Sequence, residues 1–335
     1  MMTRTKTIHA LAAVCLLALA AAPAHAVRAL ENFSLDAGHT DTNRIASPVW
    51  DAAGLDPVAV EKLAWKPGAD YQVVRRLTMR IPQFTVSPAL DLGAQLSIAL
   101  QSEATSLGLR LGQPGTAGWT VSGGIEDLWL ETRPVYFGPI LFYAYMDVAL
   151  NVRHGGGEPQ AVRYRLHNMY ARANGGFGVQ DEVAEALAQF LVDSGQELAA
   201  RLNRDFFKAP ALPSLRLEAE TLAAGPLNDK ESQIRRIGLS GSREAVPVLL
   251  ALLAKEKDEG NRVYVLDALA SLGSGDAVRP LADRYDKEDE DCRFFTLKVW
   301  DYTGGDEARA LIAQKGPKDE DVACRALAGR LQKAG

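Results

Sequence analysis

From residue 140 to 152 every even position is apolar (Ile140, Phe142, Ala144, Met146, Val148, Leu150, Val152), while the odd positions include Tyr143, Tyr145, Asp147, Asn151 and Arg153. A period of two predicts a strand with one face buried. Residues 154–159 supply Gly and Pro for a turn, after which Val162, Tyr164 and Leu166 alternate with Arg163, Arg165 and His167, so the two runs predict a hairpin. Folding it about Gly157 sets His167 near Asp147 on the solvent-facing side, and a register error of two residues keeps that parity. Before the hairpin, 71–86 reads as extended, with Pro82 confining it to an edge or bulge. Ser87-Pro88 then opens a helix whose stripe is Leu92, Leu96, Leu100 and Leu107, and 119–130 returns to strand with a bulge at Gly123-Gly124. Past the hairpin, Val183, Leu187, Phe190, Leu191, Ser194, Leu198, Leu202 and Phe206 keep a helical period long enough to cover the sheet's apolar face. The order β-α-β-β-β-α predicts an α+β domain over 71–208, an antiparallel sheet covered by helices.

Beyond residue 227 the pattern becomes a repeat. Residues 262–273 and 293–304 align without a gap at a 31-residue offset, each followed by a second short helix, at 277–285 and 308–314. An earlier copy begins at Lys230 and a truncated one at Arg325, so basic residues Lys230, Arg262, Arg293 and Arg325 recur at 32, 31 and 32 residues. Each follows an acidic loop (Asp229; Asp258 with Glu259; Asp289 to Asp291; Asp319 to Asp321), which predicts carboxylates for the helix N-termini and a partner for each cation, a structural ladder. The alternative is a ladder that binds phosphate or an acidic partner. Residues 209–226, punctuated by Pro210, Pro213, Gly225 and Pro226, read as a linker with a capping helix over 214–224, with few contacts needing to cross it.

Two resemblances follow from these residues. The period and the Leu-Gly-Ser-Gly-Asp-Ala-Val turn at 272–278 resemble short HEAT repeats of the kind also found in phycobilisome-lyase-like proteins, which implies an all-α solenoid over 227–335. The helix ending in Leu-Gly-Leu-Arg-Leu at 107–111, the strand at 119–130, the hairpin, and the Tyr170 to Phe177 approach to a long helix resemble the YajG-like envelope lipoproteins. That second resemblance implies a non-enzymatic envelope protein; the family's acylated Cys has no counterpart here.

The chain's beginning changes where such a protein would work. Arg4 and Lys6, an apolar run over 10–22 and Ala24-His25-Ala26 read as a signal peptide over 1–26, cleaved before Val27, and the run is short for a membrane span. Val14 before Cys15 argues against lipid attachment there. The mature protein is expected in a bacterial periplasm without a transmembrane anchor, with 27–70 as an N-terminal extension. Of three cysteines only Cys292 and Cys324 survive processing, at equivalent places in successive repeats, which favours free thiols because stacked helices lie about 8–10 Å apart and a disulfide wants Cα atoms within about 7 Å. A net charge of −5, from 37 Lys+Arg and 42 Asp+Glu, argues against a general nucleic-acid or anionic-membrane binder.

The chain carries no P-loop, HExxH, GxSxG, paired CxxC or EF-hand loop, so no catalytic, cofactor or metal residues are assigned. His39-Thr40-Asp41 reads as a surface loop before a metal site, the Gly-rich turn at 175–178 as a strand-to-helix turn before a phosphate cradle, and Asp147 with His167 as a cross-strand ion pair before a catalytic dyad. The candidate interaction residues are Tyr143, Tyr145, Asp147, Arg163, Arg165 and His167. The expected function is a periplasmic, non-enzymatic adaptor that binds another envelope protein through its repeats and its α+β domain. The alternatives are an enzyme or enzyme-associated chaperone of lyase-like type, and a small-ligand binder using Tyr143, Tyr145 and Arg165.

Overall fold

The computed structural model describes residues 28–30, 45, 47–65, 74–76, 82–86, 90–134, 139–172, 179–223 and 230–333. The leader, Cys15, His39-Thr40-Asp41 and the turn at 175–178 lie outside the described residues.

Three long antiparallel strands form the centre of the sheet: β6 (Trp119–Pro134), β7 (Ile140–His154) and β8 (Gln160–Arg172). Five short strands complete it: β1 (Arg28–Leu30), β2 (Val58–Val60), β3 (Ala64–Trp65), β4 (Val74–Arg76) and β5 (Pro82–Val86). β2, β3 and β4 lie one after another along the side of β6 away from β7, all parallel to it, and β1 runs parallel to β5. The sheet is therefore mixed, which corrects the antiparallel expectation. The extension at 27–70 is also part of the fold: Val49, Trp50, Val58 and Leu63 are buried in the same core as the hairpin.

Local chemistry explains most element ends. Helix α1 (Leu92–Ser106) starts at Asp91, whose carboxylate accepts from Ala94 N, rather than at Ser87-Pro88. Its predicted stripe, Leu92, Leu96, Leu100 and Leu107, is fully buried. Helix α2 (Val179–Leu202) ends in a π turn, Asn203–Phe207. The β6 register shifts between Ile125 and Asp127, two residues beyond the expected bulge. Gly123 serves a different need: at φ +135°, a Cβ would stand 2.1 Å from the carbonyl oxygen of Ala149, so only glycine lets the two backbones approach there.

After α3 (Ser214–Ala223) the described residues from 230 to 333 are helical: α4 (Glu231–Leu239), α5 (Val246–Lys255), α6 (Glu259–Leu272), α7 (Val278–Ala282), α8 (Glu290–Thr303), α9 (Gly305–Lys315) and α10 (Val322–Lys333). The first helices of successive copies, α4, α6, α8 and α10, pack against one another in order. Asp258 and Asp289 cap α6 and α8 through Asn261 N and Cys292 N, and Asp321 accepts from Cys324 N at the start of α10. No described helix is long and apolar enough to cross a membrane.

The sheet lies between two helical layers. Its even-numbered hairpin side chains, from Phe142 to Val152, share a core with α1 and α2. On the opposite face Trp129, Tyr143 and Tyr145 share a core with the C-terminal helices. From Tyr143 to Asp147, and at His167 opposite, the odd face of the hairpin is therefore covered rather than solvent-facing, while Asn151, Arg153 and Arg163 nearer the turn are exposed; the expectation that few contacts cross the 209–226 junction does not hold.

Candidate functional site

A row of charged side chains fastens the C-terminal helices to the sheet and α2. Arg235, Asp267, Lys298 and Arg330 sit one each on α4, α6, α8 and α10, at spacings of 32, 31 and 32 residues and five residues beyond each rung of the basic ladder. Five residues on a helix turn the side chain about 140° away, so ladder and row face different surroundings. Lys298 is fully buried, with Nζ 2.6 Å from Glu197 of α2 and 2.7 Å from Asp267. Burial pulls its pKa down, but Asp267 and Glu197 outweigh that and hold it above the usual lysine value. Arg235 donates to Asp193 (2.6 Å) and Gln196 (2.8 Å) of α2. Arg330 reaches Asp127 at 3.0 Å and lies over the rings of Trp129 and Tyr145. Beside this row Arg133 of β6 pairs with Asp321 at 2.6 Å.

The six candidate interaction residues stand at this junction, with corrections to their roles. Tyr143, Tyr145, Asp147 and His167 are buried. The hairpin register pairs His167 with Tyr145 and Asp147 with Arg165, because the turn centres one residue earlier than Gly157. Asp147 is held by Arg163 at 2.8 Å, so the expected Asp147–His167 pair does not form. His167 instead faces Asp301 of α8, Nδ1 to Oδ2 3.9 Å, among the rings of Tyr145, Phe294 and Tyr302, and neither ring nitrogen has a hydrogen-bond partner among the described residues. Burial, then the charges of Lys298, Arg165 and Arg201, keep His167 well below the usual histidine pKa. Arg165 pairs with Asp301 at 2.5 Å and donates to the Leu331 carbonyl, so it is a junction residue and not an exposed strand cation. Even so, burial leaves Asp301 raised to about 6.

Side chains engage the outer edge of β8 at its middle. Arg201 donates to the Arg165 carbonyl and the Tyr302 hydroxyl accepts from His167 N, so two backbone groups that a further strand would need are already engaged.

No protein-family model matches this chain, and no curated protein matches it. The solved structure of a minor lipoprotein from Acinetobacter baumannii is similar over 47% of this chain and 95% of its own, at 9% sequence identity and a TM-score of 0.27. That degree of likeness assigns neither a family nor a function.

The basic ladder is built differently from its expected form. Arg262 pairs with Glu288, and Arg293 with Asp319 at 3.0 Å, each in the loop of the next copy rather than its own. Arg293 and Arg325 also donate to carbonyls of their own preceding loops, Glu288 and Asp319 respectively. Lys230 is the N-cap residue of α4, and its expected neighbour Asp229 lies outside the described residues. Cys292 and Cys324 are free and buried, and burial pushes both thiols up. Glu288, Asp289 and Cys292 come close enough to hold a metal ion, but Arg262 and Arg284 already neutralise Glu288, and Asp289 caps α8.

One end of the junction stays open. A cleft of about 520 Å³ lies between the end of β8, α2 and the first turns of α4, α6 and α8. Tyr170, Asp193 and Arg235 line it from within, and Tyr264, Asp291 and Phe295 line it from the helices. Asp291 is partly buried; burial and the carboxylates of Asp289 and Glu290 raise its pKa to about 6. The sequence reading missed this site because its residues come from elements up to 127 positions apart, Asn168 to Phe295. The row beneath it left one signal, the same 32, 31, 32 spacing as the ladder.

Proposed function

We propose that this protein is an exported, non-enzymatic adaptor of the bacterial envelope, in which short HEAT-like repeats form a solenoid clamped onto an α+β domain, and that its partner docks in the cleft between them. The observation that carries this reading is the cleft itself: both parts of the chain line it, and inter-domain concavities with aromatic walls are where binding sites concentrate. The export signal and the 31-residue period support the envelope and solenoid parts. The hairpin face and the small-ligand residues Tyr143 and Tyr145 are set aside as contact surfaces, because the repeats cover them.

A photo-crosslinking amino acid at Tyr264, on the cleft rim, tests this in cells against the same probe at Lys255 on the exposed end of α5. One discrete envelope-protein adduct from Tyr264 and none from Lys255 is expected. No adduct at Tyr264, or the same adducts from both positions, overturns the reading.

A further inference from the structure

The cleft between the two parts of the chain has a charge balance of its own. Five carboxylates line it against two arginines and no lysine. Both arginines are engaged, Arg235 by Asp193 and Gln196, and Arg172 by Gln189 and the Ala171 carbonyl. Asp193 is thereby paired, and Asp267 is held by Lys298 at 2.7 Å. That leaves Glu231, Glu259 and Asp291, one each on the first turns of α4, α6 and α8, with no cation partner among the described residues.

The helix ends do not account for all three. An acid in the first turn suits a helix dipole, but α6 already has Asp258 as its cap, and α8 has both Asp289 and Glu290. Burial raises Asp291 to about 6, and the charged groups that add to the shift, Asp289, Glu290, Asp321 and Glu259, are all carboxylates. Glu259 and Asp291 thus share one negative field on the helical side of the cleft, which a cation would relieve.

Aromatic rings stand beside these acids. Tyr264 and Phe295 line the cleft from equivalent places on α6 and α8, 31 residues apart, and Phe295 follows Asp291 by one helical turn, on the same side of α8. Gly260 lies one turn before Tyr264, where a side chain would stand over the approach to the ring. Packing does not demand glycine there: among the described residues, a Cβ would have only Asp258 Oδ1 within 4 Å, at 3.3 Å. The glycine leaves room next to Tyr264, and the acids set the charge of what can fill it.

We infer that the cleft recognises an arginine on a basic segment of the partner, its guanidinium lying beside Tyr264 and reaching Glu259 and Asp291; this rests on the adaptor reading, in which the partner docks there. A flat guanidinium stacks on a ring and offers paired N–H donors to carboxylates at the same time, which a lysine ammonium does less well. The chain's net charge of −5 adds attraction at longer range.

Two measurements on the full mature chain test this. In the first, acetyl-Gly-Arg-Gly-amide and its uncharged citrulline counterpart of the same shape are titrated against the amide signals of Gly260 and Tyr264. Saturable shifts from the arginine peptide and none from the citrulline peptide are expected, and Glu259→Gln with Asp291→Asn should weaken the arginine peptide by about tenfold. Neither acid holds a neighbour among the described residues, so this double variant should fold. Glu158→Gln with Asp283→Asn changes the net charge equally at exposed positions away from the cleft and should leave binding unchanged. In the second, the Tyr264 crosslink is repeated in the Glu259→Gln, Asp291→Asn background, where the adduct should be lost. Equal shifts from the two peptides, undiminished arginine binding in that variant, an equal loss in the control pair, or an undiminished adduct each overturn the inference and leave the adaptor reading standing. No adduct at Tyr264 in the otherwise unaltered chain overturns the adaptor reading, and this inference with it.

Discussion

His167 places two unpartnered ring nitrogens among three aromatic rings, with Asp301 3.9 Å away. A buried polar atom without a partner costs about 1–3 kcal/mol, so His167→Phe, which fills a similar space, should raise stability by about 1–2 kcal/mol at neutral pH. The pH dependence has a definite sign. The folded protein holds His167 below its ordinary value of 6.5, so the stability tied to the neutral ring is present above that pH and is lost as pH falls through it. Asp301 works in the other direction: raised from 3.8 to about 6, its contribution is full below 3.8 and is lost as pH rises through about 6. The carboxylate trends are common to both proteins and only the histidine's own trend is removed, so the variant's advantage should widen below pH 6.5 by at most about 1.4 kcal/mol per pH unit. Urea unfolding from pH 7.5 to 5 checks this, and a gap that stays constant would show that His167 does not titrate between the two states.

Arg235 and Lys298 aim their charges at α2 and Arg330 aims its own at the sheet, while Asp267 braces Lys298 and Arg235 from the helix between them. Buried ion pairs seldom raise net stability, but breaking one leaves a bare charge in a dry site. Lys298→Met strands Glu197 and Asp267 together and should cost about 3–5 kcal/mol, whereas adding Glu197→Gln and Asp267→Asn should restore a large part of that loss. Thermal unfolding of the single and triple variants gives the answer; a triple variant as unstable as the single one would place the effect in packing rather than charge. At this scale α1, the three long strands, α2 and the helices of each copy were legible, because periods of 2.0 and 3.6 report which side of an element is dry. The short strands β2 and β3 were not, since two or three residues carry no period and owe their conformation to the neighbouring edge of β6.

Across the whole molecule the C-terminal helices cover the hairpin face at Tyr143, Tyr145, Asp147 and His167, and that face meets water only nearer the turn, among the described residues at Asn151, Arg153 and Arg163. A protease site inserted at 224–229 should therefore let the chain be cut without separating it: the pieces should stay together in size-exclusion chromatography, held by Lys298 with Glu197, Arg133 with Asp321, and the core shared by Tyr143, Tyr145 and Phe294. Raising salt should loosen them only slightly, because buried pairs are poorly screened. Fragments that part at ordinary salt would restore two separate folding units.

The sequence by itself determined the elements whose side chains alternate or recur, the hairpin and its parity, the 31-residue period, and the acidic caps at Asp258 and Asp289, because each depends on neighbours within a few residues or one repeat. It also identified the right residues on the odd face of β7 and β8 while misreading their surroundings. Tyr, Asp, Arg and His at alternating positions look the same whether water or a charged helical layer lies beyond them. Only the tertiary structure decided that Asp301, Phe294 and Arg330 stand opposite those residues, that Arg293 finds Asp319 instead of Asp289, and that the cleft beside Asp291 exists at all. Each of these is a meeting of side chains far apart along the chain, and the partner of a buried charge is set by which surfaces pack together, a choice that no local pattern records.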